Sequence, residues 1–426
     1  MEIRIPAPAE EIIRKLNEQG YEAYVVGGCV RDMLLHRQPE DWDITTSALP
    51  RQVKAVFGRT VDTGIQHGTV TVMMGKEGYE VTTYRIDGEY SDGRHPNSVS
   101  FTPSLLEDLK RRDFTINAMA YNSRTGFVDA FGGTEDLRKG MIRCVGDPMD
   151  RFTEDALRIL RAIRFSAQLG FAIEEKTYEA IRIIAPNMVH VSKERIQTEL
   201  TKLLLSGHPE QIKLVYETGI SPYVSAAFHQ VVPPAVPVSV PAKKHLRWAA
   251  FLRTSGQEAA VRILRDLKLD NDTIYKTRTL VEWLNRPVAE MKKETPDVKT
   301  AIRRAMSIMG PELFDDLLTV KLCLARAAAK GVSLLPGDCP EPLEALEAMA
   351  AFKEEILQNG DCISLKTLAV TGRDVMEAGV KPGKEVGAIL AGLLELVLEE
   401  PEKNRKEYLL SHIYPETHCN MEENPL

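Results

Sequence analysis

Cysteine is scarce and never clustered. The six cysteines stand at 29, 144, 323, 339, 362 and 419, with no CxxC among them. That spacing excludes a thiolate zinc site and a disulfide framework, and it is the pattern of reduced thiols in a cytoplasmic protein. No window approaches the roughly 18 continuous apolar residues that a membrane-spanning helix requires, so no membrane partner is expected. The opening segment MEIRIPAPAEEIIRKL has no apolar core of a secretory leader, which also points to the cytoplasm. No His-Asp doublet occurs, which argues against a fused metal-dependent phosphohydrolase. An excess of positive charge is missing too: 54 Lys and Arg against 61 Asp and Glu leave a net charge of −7. Proteins that wrap nucleic acid are usually basic, so a polynucleotide partner would have to be held by a local basic stripe.

What remains is the composition of an ordinary globular protein, 43% hydrophobic and 27% charged over 426 residues, long enough for several domains. The first third alternates. A helix is expected over Ala9–Gln19, a strand over Ala23–Val26, a diglycine turn, a short helix over Val30–Leu35, and a strand carrying Asp41, Trp42 and Asp43. GTVTVMMG and YEVTTYRI alternate with period two and read as a hairpin. After Pro148 the periodicity is helical and no convincing strand follows. The stretch RFTEDALRILRAIRFSAQLGF reads as one strong helix. The proline-rich VVPPAVPVSVP (231–241) and LLPGDCPEP (335–343) mark breaks. The fold class expected is α+β, a small mixed sheet followed by helical parts. Its four parts are a head over 1–146, a neck over 147–205, a body over 206–342 and a tail over 343–426.

The first stretch with chemistry in it is YVVGGCVRDMLLHRQPEDWDITT (24–46). On a strand, residues two apart share a face, so Asp41 and Asp43 converge while Trp42 turns toward the buried side. Two close carboxylates repel, and a hard divalent cation relieves the repulsion. Mg²⁺ favours one or two carboxylates completed by substrate phosphates. Gly27 and Gly28 allow the backbone to approach a phosphate at the start of a helix, and Arg31 can pair with a triphosphate oxygen. This combination reads as two-metal nucleotidyl transfer with Asp41 and Asp43 as both catalytic residues and metal ligands. Glu80, in YEVTTYR, is the candidate third carboxylate.

The second stretch is EDALRILRAIR (154–164). Asp155 and Arg158 lie three apart, neighbours on a helix surface. Arg158, Arg161 and Arg164 recur every third residue. With Lys110, Arg111 and Arg112 upstream they form the basic stripe that the acidic chain needs. Asp155 can accept from the exocyclic amino group of cytosine or adenine, and Arg158 can donate to the adjacent ring nitrogen. Uracil and guanine present the reverse order and would leave both groups opposed, a strong basis for rejection. The pair therefore predicts selection of CTP and ATP over UTP and GTP without a template.

Together GGCVRD, the DWD pair, DLKRRDFTINAMA, DAFGG (129–133) and RFTEDALRILRAIRF closely resemble the class II CCA-adding tRNA nucleotidyltransferases of bacteria, and LAVTGRDV (368–375) resembles the tail motif of that family. The resemblance is nearly continuous over head and neck and thins over the body. It implies addition of C, C and A to tRNA 3′ ends, with Mg²⁺ on Asp41 and Asp43. Gly28 and Arg31 would lie on the nucleotide, with Arg112, Asp155, Arg158, Arg161 and Arg164 completing its pocket. Trp42 departs from the aliphatic residue more usual there. IDGEYSDGRHP (86–96) resembles the loop that helps such enzymes switch from C to A, which favours full CCA addition or addition of A alone. Poly(A) polymerases share the head and neck but carry longer basic extensions than NRKEYLLSHIYPETHCNMEENPL. A non-catalytic RNA-binding relative would be expected to lose a metal ligand. The acceptor arm of tRNA, CTP and ATP are the partners implied, and a homodimer is compatible with the sequence.

Overall fold

A computed structural model describes residues 4–88, 99–286, 297–332 and 341–413, which form two compact units. The first comprises Met1–Pro233 with Arg262–Leu269, the second Pro234–Val261 with Asp270–Leu426.

In the first unit, helix α1 (Ala7–Glu18) follows Pro6 and buries Ala9, Ile12, Ile13 and Leu16. That stripe is the one its apolar spacing dictates. It packs against strand β1 (Ala23–Val26), all four of whose residues are buried. Both edges of β1 are paired, by β2 and β8, inside a seven-stranded sheet of order β3-β4-β5-β2-β1-β8-β9. The remaining strands are β2 (Ile44–Thr46), β3 (Thr60–Gly64), β4 (Thr69–Met74), β5 (Glu77–Thr83), β8 (Met119–Asn122) and β9 (Gly126–Asp129). Within this sheet only the β2–β5 pair is parallel, with Ile44 opposite Val81; the expected β4–β5 hairpin is present, Val70 opposite Val81. Helix α2 (Gly28–Leu34) leaves the end of β1 at Gly27.

Three expectations need correction here. Asp41, Trp42 and Asp43 are not in a strand, since β2 begins at Ile44. Strand β1 ends at Gly27, so upstream of Asp43, whose carbonyl accepts from Val26 N at 3.0 Å, no ladder partner remains. Trp42 is only half-buried, for the same reason. A short strand does occur after Pro148: β11 (Ala172–Ile173) pairs in parallel with β10 (Met141–Ile142).

The expected single neck helix is two, α6 (Pro148–Glu154) and α7 (Leu157–Leu169), parted at Asp155, whose backbone is extended (φ −143°, ψ 102°). Helix α7 ends at Gly170, in the left-handed region at φ +73°, and packs on α9 (Lys193–Leu204). Strands β6 (Arg85–Asp87) and β7 (Val99–Phe101) pair with each other at the two ends of the loop singled out above. Residues 89–96 of that loop lie outside the described residues.

The second unit is helical throughout its described residues. Trp248 is fully buried in the helix Lys244–Leu252, and Cys362, Leu368, Val370, Val375, Val397 and Leu409 belong to a separate apolar cluster. Buried Arg303 donates from Nε to Leu398 O at 2.7 Å and from Nη2 to Glu399 O at 3.3 Å, satisfying carbonyls at the end of the helix Lys384–Glu399. Thr371 caps the helix Gly372–Glu377, so the LAVTGRDV motif is a helix start. No described helix is long and apolar enough to cross a membrane.

Candidate active site

Asp41, Asp43, Gly28, Arg31, Arg112, Arg161 and Arg164 line one cleft of about 820 Å³ in the first unit. The volume is that of a small-ligand site. Asp41 and Asp43 are both exposed to it and form no ion pair among the described residues. Crowding by protein raises the Asp43 carboxyl above the ordinary range; Arg112 opposes the rise and the Asp41 charge adds to it. Burial likewise raises Glu80 on β5, followed by the charges of Asp43 and Asp41. The parallel register explains this, because stepping back one residue from Ile44–Val81 brings Asp43 opposite Glu80. The carboxylates thus crowd one another with only the partial counter-charge of Arg112 on Asp43, the electrostatic condition that a divalent cation relieves. No three His, Cys, Asp or Glu among the described residues form a ready-made metal cluster. Two exposed carboxylates with a third nearby fit a cation whose shell substrate phosphates would complete.

Across the cleft, Gly27 takes φ +81° and ψ −127°, a conformation closed to side chains, and turns the chain from β1 into α2. Cys29 behind it is buried; burial and then the Asp43 charge push its thiol up to about 12, so it is no nucleophile. The Arg31 fork is fixed on three sides. Nε and Nη2 each meet Asp32 at 2.9 Å, and Nη1 meets Asn117 Oδ1 at 2.8 Å.

The basic stripe is not a row of free cations. Arg161 donates to Asp113 Oδ2 from Nε at 2.8 Å and from Nη2 at 2.6 Å. Arg164 is buried against Glu199 of α9, and burial lowers its pKa against the pull of that carboxylate. Arg111 and Arg112 both face Asp108, which sits on the helix α4 (Leu105–Lys110) and is fully buried. Phe165 lies beneath three guanidiniums, 5.1 Å from Arg31, 5.4 Å from Arg161 and 3.8 Å from Arg164. Arg112 keeps unmet donor capacity. Its Nε is buried with no hydrogen-bond partner, its Nη2 reaches Asp108 only at 3.5 Å, and its guanidinium borders Gly27. Such a group gains most from an arriving anion.

Asp155 and Arg158 are not among the residues lining the cleft, and their side chains do not pair with each other. Asp155 receives Arg195 of α9, Nη1 at 3.2 Å and Nη2 at 2.7 Å. Arg158 donates to Glu154 at 2.6 Å and to the carbonyls of Arg151 and Arg111. The helix break at Asp155 is the reason: the carboxylate leaves the α7 surface and accepts from Leu157 N and from α9. His67 closes a short 3₁₀ turn (Ile65–His67) away from the cleft, its carbonyl accepting from Arg85 at 2.6 Å. Asp113, Asn117, Glu199 and Arg195, which hold the predicted residues in place, were missed by sequence reasoning. DLKRRDFTINAMA contains two of them, but nothing local pairs them with residues dozens of positions away.

Comparison with known proteins places the chain in a family. The family described as "Poly A polymerase head domain" matches residues 23–143. "Probable RNA and SrmB- binding site of polymerase A" matches 170–228, and tRNA nucleotidyltransferase domain 2 matches 343–413. The CCA-adding enzyme of Limosilactobacillus reuteri is 38% identical over 410 residues, 95% of this chain and 96% of that protein. The CCA-adding enzyme of Geobacillus kaustophilus is 38% identical over 406 residues, 93% of each. The crystal structure of the Bacillus stearothermophilus CCA-adding enzyme in complex with CTP superposes with a TM-score of 0.75 at 33% identity, covering 96% of this chain and 98% of that one. A Thermotoga maritima CCA-adding enzyme complexed with tRNA, at 21% identity and a TM-score of 0.58, shares the fold. With its head sheet, its paired carboxylates beside a glycine turn and relatives alike along nearly their whole length, the chain belongs to the CCA-adding enzymes, the nucleotidyltransferases that complete tRNA 3′ ends.

Proposed function

We propose that this chain adds C, C and A in turn to the 3′ end of tRNA from CTP and ATP, without a template, releasing pyrophosphate at each step. The observation that carries the reading is one cleft holding an unpaired carboxylate pair, Asp41 and Asp43, opposite Gly27 and the incompletely bonded Arg112. Enzymes of this family work with a divalent metal ion. We take Mg²⁺ as that ion, with Asp41 and Asp43 as ligands and Glu80 as a third carboxylate. When bound, such an ion polarises the triphosphate and makes the attacking hydroxyl a better nucleophile.

The chain's own residues do the rest. The Gly27–Gly28 backbone lets the phosphates approach the start of α2, and Arg31 and Arg112 meet their charge. Arg161 and Arg164, held by Asp113 and Glu199 and backed by Phe165, complete the wall as donors fixed in place before negative charge builds up in the transition state. Asp155 and Arg158 read the base edge. Arg195 holds the Asp155 carboxylate and Glu154 holds the Arg158 guanidinium. The reading further takes residues 1–146 as catalytic head, 147–205 as neck, 206–342 as body and 343–426 as a tRNA-binding tail, in a cytoplasmic protein. The free thiols Cys29, Cys144, Cys323 and Cys362 are in keeping with that compartment.

Replacing Asp41 or Asp43 by alanine tests the assignment. Nucleotide incorporation should fall by at least about a thousandfold, as expected when electrostatic stabilisation of the transition state is removed, with the folded state intact by circular dichroism. Turnover near that of the unsubstituted protein would remove the metal assignment.

A further inference from the structure

Asn117 ends the 3₁₀ turn Thr115–Asn117, is 6% exposed and borders the cleft. Its side chain is used in both directions. Oδ1 accepts from Arg31 Nη1 at 2.8 Å, and Nδ2 donates to Asp113 Oδ1 at 3.2 Å. The second oxygen of Asp113 takes both donors of Arg161. The first also accepts from Phe114 N at 2.8 Å, so this carboxylate is held from three sides. A continuous chain thus runs Arg31–Asn117–Asp113–Arg161, from the helix after the glycine turn to α7.

A primary amide offers an acceptor to a guanidinium and a donor to a carboxylate at the same time, from two atoms set apart on one planar group. A carboxylate at 117 would face Asp113 with like charge, and a hydroxyl is too short to span both partners. Asp113 is fit for its part: despite burial, Arg161 holds its carboxyl down at about 2, so it stays ionised wherever the enzyme works.

We propose that Asn117 is a positioning residue: its amide sets the orientation of Arg31 toward the nucleotide phosphates and locks it to Arg161 on α7, so that both cations meet one triphosphate in a fixed geometry. This rests on the assignment of Arg31 to the nucleotide. With Asn117 gone, Arg31 keeps its bond to Asp32 but loses the partner that fixes its third edge, and a cation free to swing stabilises a transition state poorly.

The test is a double-mutant cycle on the full chain, reading kcat and KM for CTP and ATP on tRNA transcripts, with the melting temperature of each variant. Asn117→Ala should lower kcat/KM by about ten- to a hundredfold, the range of a hydrogen bond to a charged group. Arg31→Ala should lower it further. In the Arg31→Ala background the additional loss from Asn117→Ala should shrink to less than about twofold, because there is no longer a cation to position. Asn117→Ser, judged by its melting temperature, repeats the comparison should the alanine variant fail to fold. Multiplicative losses in the double variant, or an unaltered kcat/KM for a folded Asn117 variant, would overturn the proposal. An unaltered rate for Arg31→Ala would instead overturn the assignment of Arg31 beneath it.

Discussion

A Cβ placed on Gly27 would lie 3.1 Å from Nη1 of Arg112, on a backbone at φ +81° that side chains avoid. The turn out of β1 and an incompletely bonded cation of the cleft are therefore fitted to each other. Gly27→Ala should strain the turn and displace Arg112 together. We expect a stability loss of about 1–2 kcal/mol from the backbone alone. The KM for both nucleotides should also rise, read by steady-state kinetics at a temperature where the variant is folded. A loss of stability with unchanged KM would separate the glycine from the site.

The carboxylate cluster makes a pH-dependent prediction. Asp43 and Glu80 have carboxyls raised in the folded state, first by burial, then by the charge of Asp41 and, for Glu80, of Asp43 as well, with Arg112 opposing the rise at Asp43. A raised carboxyl means that the folded chain binds more protons than the unfolded one, so stability falls as pH rises through the carboxylate range. Asp43→Asn should therefore melt higher than the parent near neutral pH, and the gap should close as the pH drops and Asp43 protonates. Adding Mg²⁺ should raise the melting temperature of the parent and not of the variant. Thermal melts across pH, with and without the ion, check both.

Arg164 and Glu199 are 6% exposed each and face one another between α7 and α9. Removing one partner of a buried pair strands the other charge. Glu199→Ala should cost about 3 kcal/mol in denaturant unfolding, whereas Glu154→Ala, next to half-buried Arg158, should cost far less and appear in nucleotide selection.

Arg158 carries the selection prediction. Arg158→Ala should lower the rate with CTP and ATP while UTP and GTP gain relative to them, because the group that opposed their ring N–H is gone. Misincorporation assays with each nucleotide alone would show it. Full discrimination in this variant would end the base-reading account.

How much of this was legible in the sequence depended on the range of the interaction. Asp41, Asp43, Gly27, Gly28 and Arg31 are brought into one cleft by one short stretch of chain, the glycine turn, α2 and the segment leading into β2, so residue types at short spacing were enough. The start of β2 was not legible, because it depends on where β1 stops and not on the alternation around Trp42. The break in the neck helix has no proline or glycine to announce it in TEDALR; it accompanies Arg195, forty positions on, drawing Asp155 away from α7. The arginines of α7 look like an exposed stripe in sequence because Asp113 and Glu199, which neutralise two of them, arrive from other elements. Asn117 sat in plain view within DFTINAMA, yet its role exists only once Arg31 and Asp113 stand on either side of it.

The central claim is sequential, template-free CCA addition, and a gel assay on three tRNA transcripts tests it most directly. The transcripts end at the discriminator base, at C and at CC. Each is incubated with Mg²⁺ and CTP, ATP, UTP or GTP singly, and with CTP and ATP together. The account predicts that all three reach a CCA end with CTP and ATP together and that UTP and GTP stay inert. Extension of the CC-ended transcript alone, long A tails on unrelated RNA, or no incorporation would contradict it.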